Sequence, residues 1–385
     1  MSKKAVGYWL LAAGVLNKNS FGQKPIANSQ QPFKTSPMNQ FRFYNKQDVL
    51  SLTRIRRYET KLGERIQVLA DPGSLEKSLQ QTNASFVLLG IPEDIGVKAN
   101  MGIGGTDSAW VPFLQAFLNT QSNDFLEGSE ILLLGHFDFG NLAELIEKNA
   151  HDTEEKLAAY RHAVNTIDDA VEQLVHIITQ NKKIPIVIGG GHNNSYPCIK
   201  GAAKGFYKAG VIPIAQINAV NLDAHADFRP MEGRHSGNGF SYAEADGYLE
   251  KYCVIGLHEN YLPQNVWMDM VNNPFIDCIT YEDIFVHEKR SFLQAIAHAN
   301  AFTEDTLCGI ELDLDCIENV LSSASTPVGI SAAQARQFIS FSSIGSKVAY
   351  LHICEGATQL ADGRSDDSTG KLMSYLVSDF VKGKL

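Results

Sequence analysis

Eight short stretches of this chain are apolar almost without interruption: "SFVLLGIP" (85–92), "EILLLG" (130–135), "IPIVIGGG" (184–191), "AVNLDAH" (219–225), "YCVIGLH" (252–258), "IDCITYED" (276–283), "CGIELDLD" (308–315) and "KVAYLHICE" (347–355). A strand with one face in water alternates apolar and polar residues. A near-continuous apolar run marks a strand covered on both faces. The segments between the runs carry helical spacing instead. The clearest is 153–180, "TEEKLAAYRHAVNTIDDAVEQLVHIITQ", and another is 331–344, "SAAQARQFISFSSI", with Ser331 placed to cap it. Strands alternating with helices imply crossover units and a parallel sheet. The expected fold is therefore α/β: a single three-layer α/β/α domain over 38–385, with a mainly parallel sheet of about eight strands and no internal repeat.

Residues 1–37 read differently. "MSKKAVGYWLLAAGVL" has the basic start and short apolar run of a signal peptide, but no clear small-x-small cleavage site follows, and the run is too short to span a bilayer. The polar, Pro/Ser/Asn-rich stretch after it reads as linker, so 1–37 is expected to be a poorly ordered extension. A mis-called start upstream of Met38 is the alternative. No other stretch looks transmembrane. The net charge of −10 argues against non-specific nucleic-acid binding and against an acidic membrane surface. Six widely spaced cysteines, none in a C-x-x-C pair, suit a reducing compartment, here the cytoplasm.

Ligands of open parallel sheets bind beyond the carboxyl ends of the strands. Four of the expected strands end in ionisable groups: His192; Asp223, His225 and Asp227; Asp313 and Asp315; and Glu355. Taken singly, each has a duller explanation. His192 fits a loop histidine, "DAHAD" a helix cap, and "ELDLD" an exposed acidic edge strand. Their joint occurrence at strand ends favours one convergent site. Four aspartates brought together without cations would be prohibitive, since each buried charge costs several kcal/mol unless compensated. Two divalent cations remove the difficulty. An oxygen-rich set with a few imidazoles suits Mn²⁺ better than Zn²⁺. Because residues i and i+2 of a strand share a face, Asp313 and Asp315 are expected to reach one cluster, as are Asp223 and His225.

At these residues the chain resembles the ureohydrolases, the family of arginases, agmatinases and formimidoylglutamases. "GGGHNNSYP", "LDAHADFRP" and "IELDLD" match its three strand-end motifs, "GVKANMGIGGTDSAWVP" (96–112) its glycine-rich substrate loop, and "ASTPVGIS" (324–331) the loop after the last motif. The resemblance covers about residues 84–380. It implies an arginase-like fold, a homo-oligomer and two Mn²⁺ per subunit. One metal would take His192, Asp223, Asp227 and Asp313; the other would take Asp223, His225, Asp313 and Asp315, with Asp223 and Asp313 bridging. The resemblance also implies that Asp227 handles the proton of the nucleophilic water, and that Glu355 anchors the cationic nitrogens of the substrate.

The departures from the family pattern bear on the substrate. Glu311 stands where the family usually has a small residue, and Asn193 and Asn194 follow His192. In "RHSGNGFSY", Phe240 occupies the position at which arginases carry a histidine, leaving His235 as the histidine nearby. These loops look closest to the formimidoylglutamase branch. Formimidoylglutamate carries two carboxylates, which Arg229 and Arg234 are candidates to grip, with Asn238 as a further substrate contact. The leading expectation is hydrolysis of N-formimidoyl-L-glutamate to L-glutamate and formamide. The alternatives are an arginase or an agmatinase/guanidinobutyrase releasing urea, and a metal-binding regulatory homologue without activity.

Overall fold

The doubly covered runs pair into one nine-stranded sheet in the computed structural model, which describes residues 40–385. The expectation for residues 1–37 lies outside the described residues. The strands are β1 (Phe41–Phe43), β2 (Phe86–Gly90), β3 (Ile131–Phe137), β4 (Ile184–Ile188), β5 (Ile217–Leu222), β6 (Leu249–Leu257), β7 (Ile276–Thr280), β8 (Cys308–Asp313) and β9 (Val348–Cys354). Their order is β1-β3-β2-β4-β9-β8-β5-β6-β7. All neighbours are parallel except β1, which runs antiparallel to β3 at the edge. The expected eight strands are all present, and β1 is the ninth. Its three residues, "FRF", are too few to show a period.

Helices cover both faces. Ile186, Ile188, Val220, Leu222, Ile310, Leu312, Leu351 and Ile353 belong to one apolar cluster, with Phe338 and Phe380 from the helices Ala332–Gly345 and Ser368–Lys384. Val187, Ala219 and Val254 belong to the other, with Val171 and Ile199 from the helices Thr153–Gln180 and Ser195–Lys208. Ser331 does cap its helix, and its hydroxyl accepts the Gln334 N–H in a capping box. Among the described residues, no helix is long and apolar enough to cross a membrane.

The topology positions the site. β4, β9, β8 and β5 are consecutive neighbours in the middle of the sheet. On one side the chain lays down β2, then β3 outside it, then β4 on the inner edge of β2; on the other it builds outward from β5 through β6 to β7; β8 and β9 then fill the gap between β5 and β4. The four strands that end in ionisable groups are therefore side by side, at a spacing of about 4.8 Å. They lie at the crevice where strand order reverses, the usual ligand position in such sheets.

Candidate metal centre

The turn after β4 is built on glycine. Gly189 and Gly190 take φ of +90° and +74°, a region that favours glycine. A Cβ on Gly190 would lie 2.4 Å from the Asn194 amide nitrogen. The turn delivers His192 into a short 3₁₀ segment, where its ring is fully buried. Its Nδ1 faces three carboxylate oxygens: Asp227 Oδ2 at 2.8 Å, Asp223 Oδ2 at 3.2 Å and Asp313 Oδ2 at 3.2 Å.

After β5 and β8 the chain repeats one device. Asp223 Oδ1 accepts the N–H of His225 at 2.7 Å, and Asp313 Oδ1 accepts the N–H of Asp315 at 2.8 Å. Each aspartate closes a turn on the residue two further on. This corrects the strand-alternation argument for these pairs. β5 ends at Leu222 and β8 at Asp313, so His225 and Asp315 lie beyond the strands and are aimed by the turn. His225 Nδ1 is 3.2 Å from Asp315 Oδ2 and 3.6 Å from Asp223 Oδ1. Two groups result that could each hold a cation: His192, Asp223, Asp227 and Asp313; and Asp223, His225 and Asp315. Asp223 is common to both, whereas Asp313 stands in the first alone.

The donor set fits divalent cations on two counts. His192 Nδ1 and Asp315 Oδ1 are buried without a hydrogen-bond partner, an unusual state for a native polar atom. Two ligands bonded at about 2.1 Å to one octahedral ion lie about 3.0 Å apart, close to the spacings around His192 Nδ1. Electrostatics agrees. Burial, then the charge of Asp223, pushes the Asp227 carboxyl up to about 6. Burial and the neighbouring Asp315 push Glu355 up to about 8. Asp313 is raised well above the carboxylate range by burial and by Asp315 and Asp223. The protein alone holds more negative charge here than it can neutralise. Asp227 and Glu355 also adopt left-handed backbone, at φ of +45° and +60°, strain of a kind that clusters at functional sites.

The cluster floors a cavity of about 440 Å³, lined by His225, Asp227, Asp313, Asp315, Glu355 and Arg229 among others. The two family-like loops reach it as well, through Asn100 and Ala324. Glu355 is anchored by the His192 backbone N–H, which it accepts at 2.9 Å. Arg229 stands at the mouth. Its Nη1 donates to Asn100 Oδ1 at 2.9 Å and its Nη2 to Glu232 Oε1 at 3.0 Å.

Arg234 and Asn238 are not where a substrate contact requires them. Arg234 is buried, paired with Asp168 through Nε and Nη2 at 2.9 and 3.2 Å, bonded to the Asn193 carbonyl at 2.7 Å, and flanked by Tyr196 and Tyr242. Asn238 accepts from Arg234 Nη1 and from the His235 N–H, and donates to the Gly233 carbonyl. Both side chains are spent on holding the loop. Phe240 is buried too: its ring meets that of His192 edge-on at 5.2 Å and stacks on Tyr252 at 4.2 Å. His235 accepts the Gly237 N–H at Nδ1, and burial, then Arg229, holds it down at about 3.

Two contributors escaped the sequence reading. Buried Glu93, just after β2, accepts from the N–H groups of Gly96 and Gly191 and from the side-chain amides of Asn193 and Asn194. It ties the glycine turn, and through it His192, to the neighbouring loop. As an acid at a strand end it carried the same signal as the candidate ligands. Tyr261 stacks on His225 at 5.1 Å and lines the cavity; no pattern in the sequence marks it.

A model of the arginase family matches residues 84–381 of this chain. A formimidoylglutamase of Macrococcus caseolyticus is 26% identical over 294 residues, covering 75% of this chain and 83% of that protein. A formimidoylglutamase of Streptococcus pyogenes serotype M6 is 27% identical over 259 residues, covering 65% and 68%. Among solved structures, a Bacillus subtilis formimidoylglutamase superposes with a TM-score of 0.65 at 18% identity, over 86% of this chain and 93% of that one. A Trypanosoma cruzi formiminoglutamase with Mn²⁺ gives 0.62 at 18%, over 84% and 98%. At such identities the structural likeness is one of fold.

Proposed function

This chain belongs to the arginase family, and on that premise we propose that it is a manganese-dependent formimidoylglutamase, hydrolysing N-formimidoyl-L-glutamate to L-glutamate and formamide. The observation that carries the hydrolase reading is the pair of ligand groups sharing Asp223 at the floor of an open cavity. The choice of substrate is supported by the formimidoylglutamases among its sequence relatives and by an arginine at the mouth of the cavity.

His192, Asp223, Asp227 and Asp313 would hold one Mn²⁺, and Asp223, His225, Asp313 and Asp315 the other. When bound, the pair supplies Lewis acidity and brings the pKa of water from 15.7 towards about 7. The protein's residues supply the rest. Asp227, held in strained backbone beside the cluster, accepts the proton of the attacking water and passes it to the leaving nitrogen. Glu355 faces the cavity, with one oxygen fixed by the His192 N–H, and receives the cationic formimidoyl nitrogens. Arg229 grips a substrate carboxylate at the mouth, in competition with Glu232. The site belongs to a homo-oligomer working in the cytoplasm, on the route by which histidine is degraded.

The test is product chemistry. The manganese-loaded protein should release formamide and glutamate from formimidoylglutamate, and little urea from arginine or agmatine. Efficient urea release without formamide would overturn the substrate and leave the metal chemistry standing. No product from any of the three would favour a regulatory homologue.

A further inference from the structure

Glu311 does not belong where it is on energetic grounds. Its side chain is fully buried in the middle of β8, between Ile310 and Leu312, which join the apolar cluster on the opposite face. A carboxylate removed from water costs several kcal/mol unless it is fully paired. Here both oxygens are paired. The Tyr350 hydroxyl donates to Oε1 at 2.6 Å, and His352 Nδ1 donates to Oε2 at 2.6 Å. The strands are built to allow this. In register, Glu311 lies beside His352 of β9. A Cβ on Gly309 would lie 2.4–2.6 Å from the Tyr350 ring, so only glycine lets that ring lie across β8 and reach the carboxylate.

The buried carboxylate points at His192. Glu311 Oε2 is 3.5 Å from His192 Nε2, while the other ring nitrogen, Nδ1, faces the three aspartates. Neither ring nitrogen makes a hydrogen bond, so the Glu311 carboxylate faces Nε2 as a nearby negative charge rather than as a bonded acceptor. The rings of Phe240 and His352 meet it edge-on at 5.2 and 5.9 Å. An imidazole ligates through the nitrogen that carries no proton, and the partner of its other nitrogen decides which one that is.

We propose that Glu311 is a positioning residue for His192: fixed by Tyr350 and His352, it holds the proton on Nε2 and so presents Nδ1 as the ligand to the cation of the first group. The inference rests on the two-cation reading of the site. It also implies that His192, His352 and Cys354, which lie together, do not hold a third ion, because a protonated Nε2 cannot ligate.

The test uses the full-length protein, stripped of metal with a chelator and titrated with MnCl₂ by calorimetry and by electron paramagnetic resonance. Wild type should bind two Mn²⁺. In Glu311→Leu, one class of site should weaken by about 10- to 100-fold while the other stays near wild type, and a spin-coupled pair should give way to a mononuclear signal. Glu311→Gln, which keeps an acceptor but not the charge, should lose about tenfold at that class. If the leucine variant does not fold, the glutamine variant and Tyr350→Phe carry the test. Nitrogen-15 spectra of protein loaded with diamagnetic Zn²⁺ should show His192 protonated at Nε2 and ligating through Nδ1 in wild type, and a mixed pattern in Glu311→Gln. Unchanged affinities in Glu311→Gln, or an equal fall at both sites as a merely structural role would give, overturns the proposal. Uptake of a third Mn²⁺ lost with Cys354→Ser overturns it as well. A wild type that binds fewer than two Mn²⁺ overturns the two-cation reading itself.

Discussion

Stripping the cations should cost this fold several degrees of thermal stability, and the loss should be divisible. Each bound Mn²⁺ stabilises the native state by mass action, by about 2.7 kcal/mol when its free concentration is 100 times its Kd. Two sites together contribute about 5 kcal/mol under those conditions. The unfolding entropy of roughly 350 ordered residues is about 0.7 kcal/mol per kelvin. The midpoint should therefore rise by about 7 °C when metal-free protein is given saturating Mn²⁺, and by about 4 °C if a single site fills. Substitution then separates the sites. Asp315 belongs to the second group alone, so Asp315→Ala should keep roughly half of the shift. Asp313 accepts the turn N–H of Asp315 and faces His192 Nδ1. If it also serves the second cation, as proposed, its removal should disable both sites, and Asp313→Ala should show almost no response to Mn²⁺. The assay is scanning calorimetry of each variant with and without metal, paired with elemental analysis after gel filtration. A full shift in Asp313→Ala, with two ions bound, refutes the bridging role. Loss of the entire shift in Asp315→Ala refutes the idea that the two sites can be emptied separately.

Asp227→Asn, loaded to the same metal content as wild type, should lower kcat by about 10²- to 10⁴-fold, because the proton acceptor beside the water is gone; a normal turnover number rules the role out. Arg229→Met should raise KM for formimidoylglutamate with little change in kcat, as loss of a contact made equally in ground and transition states does. The guanidinium is partly exposed and shared with Glu232, so the loss should be near 1.5 kcal/mol, about tenfold. Arg234→Met should behave differently: it strands Asp168 in the interior and should destabilise the fold by about 3–5 kcal/mol. Urea denaturation measures that loss, and a stable Arg234→Met enzyme with a raised KM would return Arg234 to the substrate site.

What the sequence revealed depended on how far apart the interacting residues were. Doubly covered strands carry their signature within a few residues, and so does Ser331, whose capping partner is three positions away. β1 was missed because three residues at a sheet edge contain no period. The convergence of the proposed ligands was legible through position: each follows an apolar run, and the parallel topology sends all such ends to one side. Arg234 was misread because its partner Asp168 is 66 residues earlier, on a helix, with nothing local to announce it. Read locally, Arg234 and Arg229 are equivalent loop arginines; only tertiary packing buries one and leaves the other at the mouth. Glu311 stood out as a departure, yet the role proposed for it needed the positions of Tyr350 and His352 on β9 and of His192 in the turn after β4.

The spacing inside the two aspartate motifs has a cause that strand alternation does not supply. In "DAH" and "DLD" the first aspartate uses one oxygen to accept the N–H two residues on, and turns the other towards His192 Nδ1. One side chain thus terminates a strand, aims the next ligand and contributes a charge. Glutamate at either position would place its carboxylate a methylene too far to close the turn. Asparagine would keep the turn and lose the charge. The two duties are therefore separable: Asp223→Asn should preserve the direction of the His225 backbone while weakening cation binding, whereas Asp223→Ala should disturb both. That difference is why the residues after β5 and β8 can lie outside regular structure and still converge. Their placement is set by hydrogen bonds from the strand ends, and the sheet has only to bring those ends side by side.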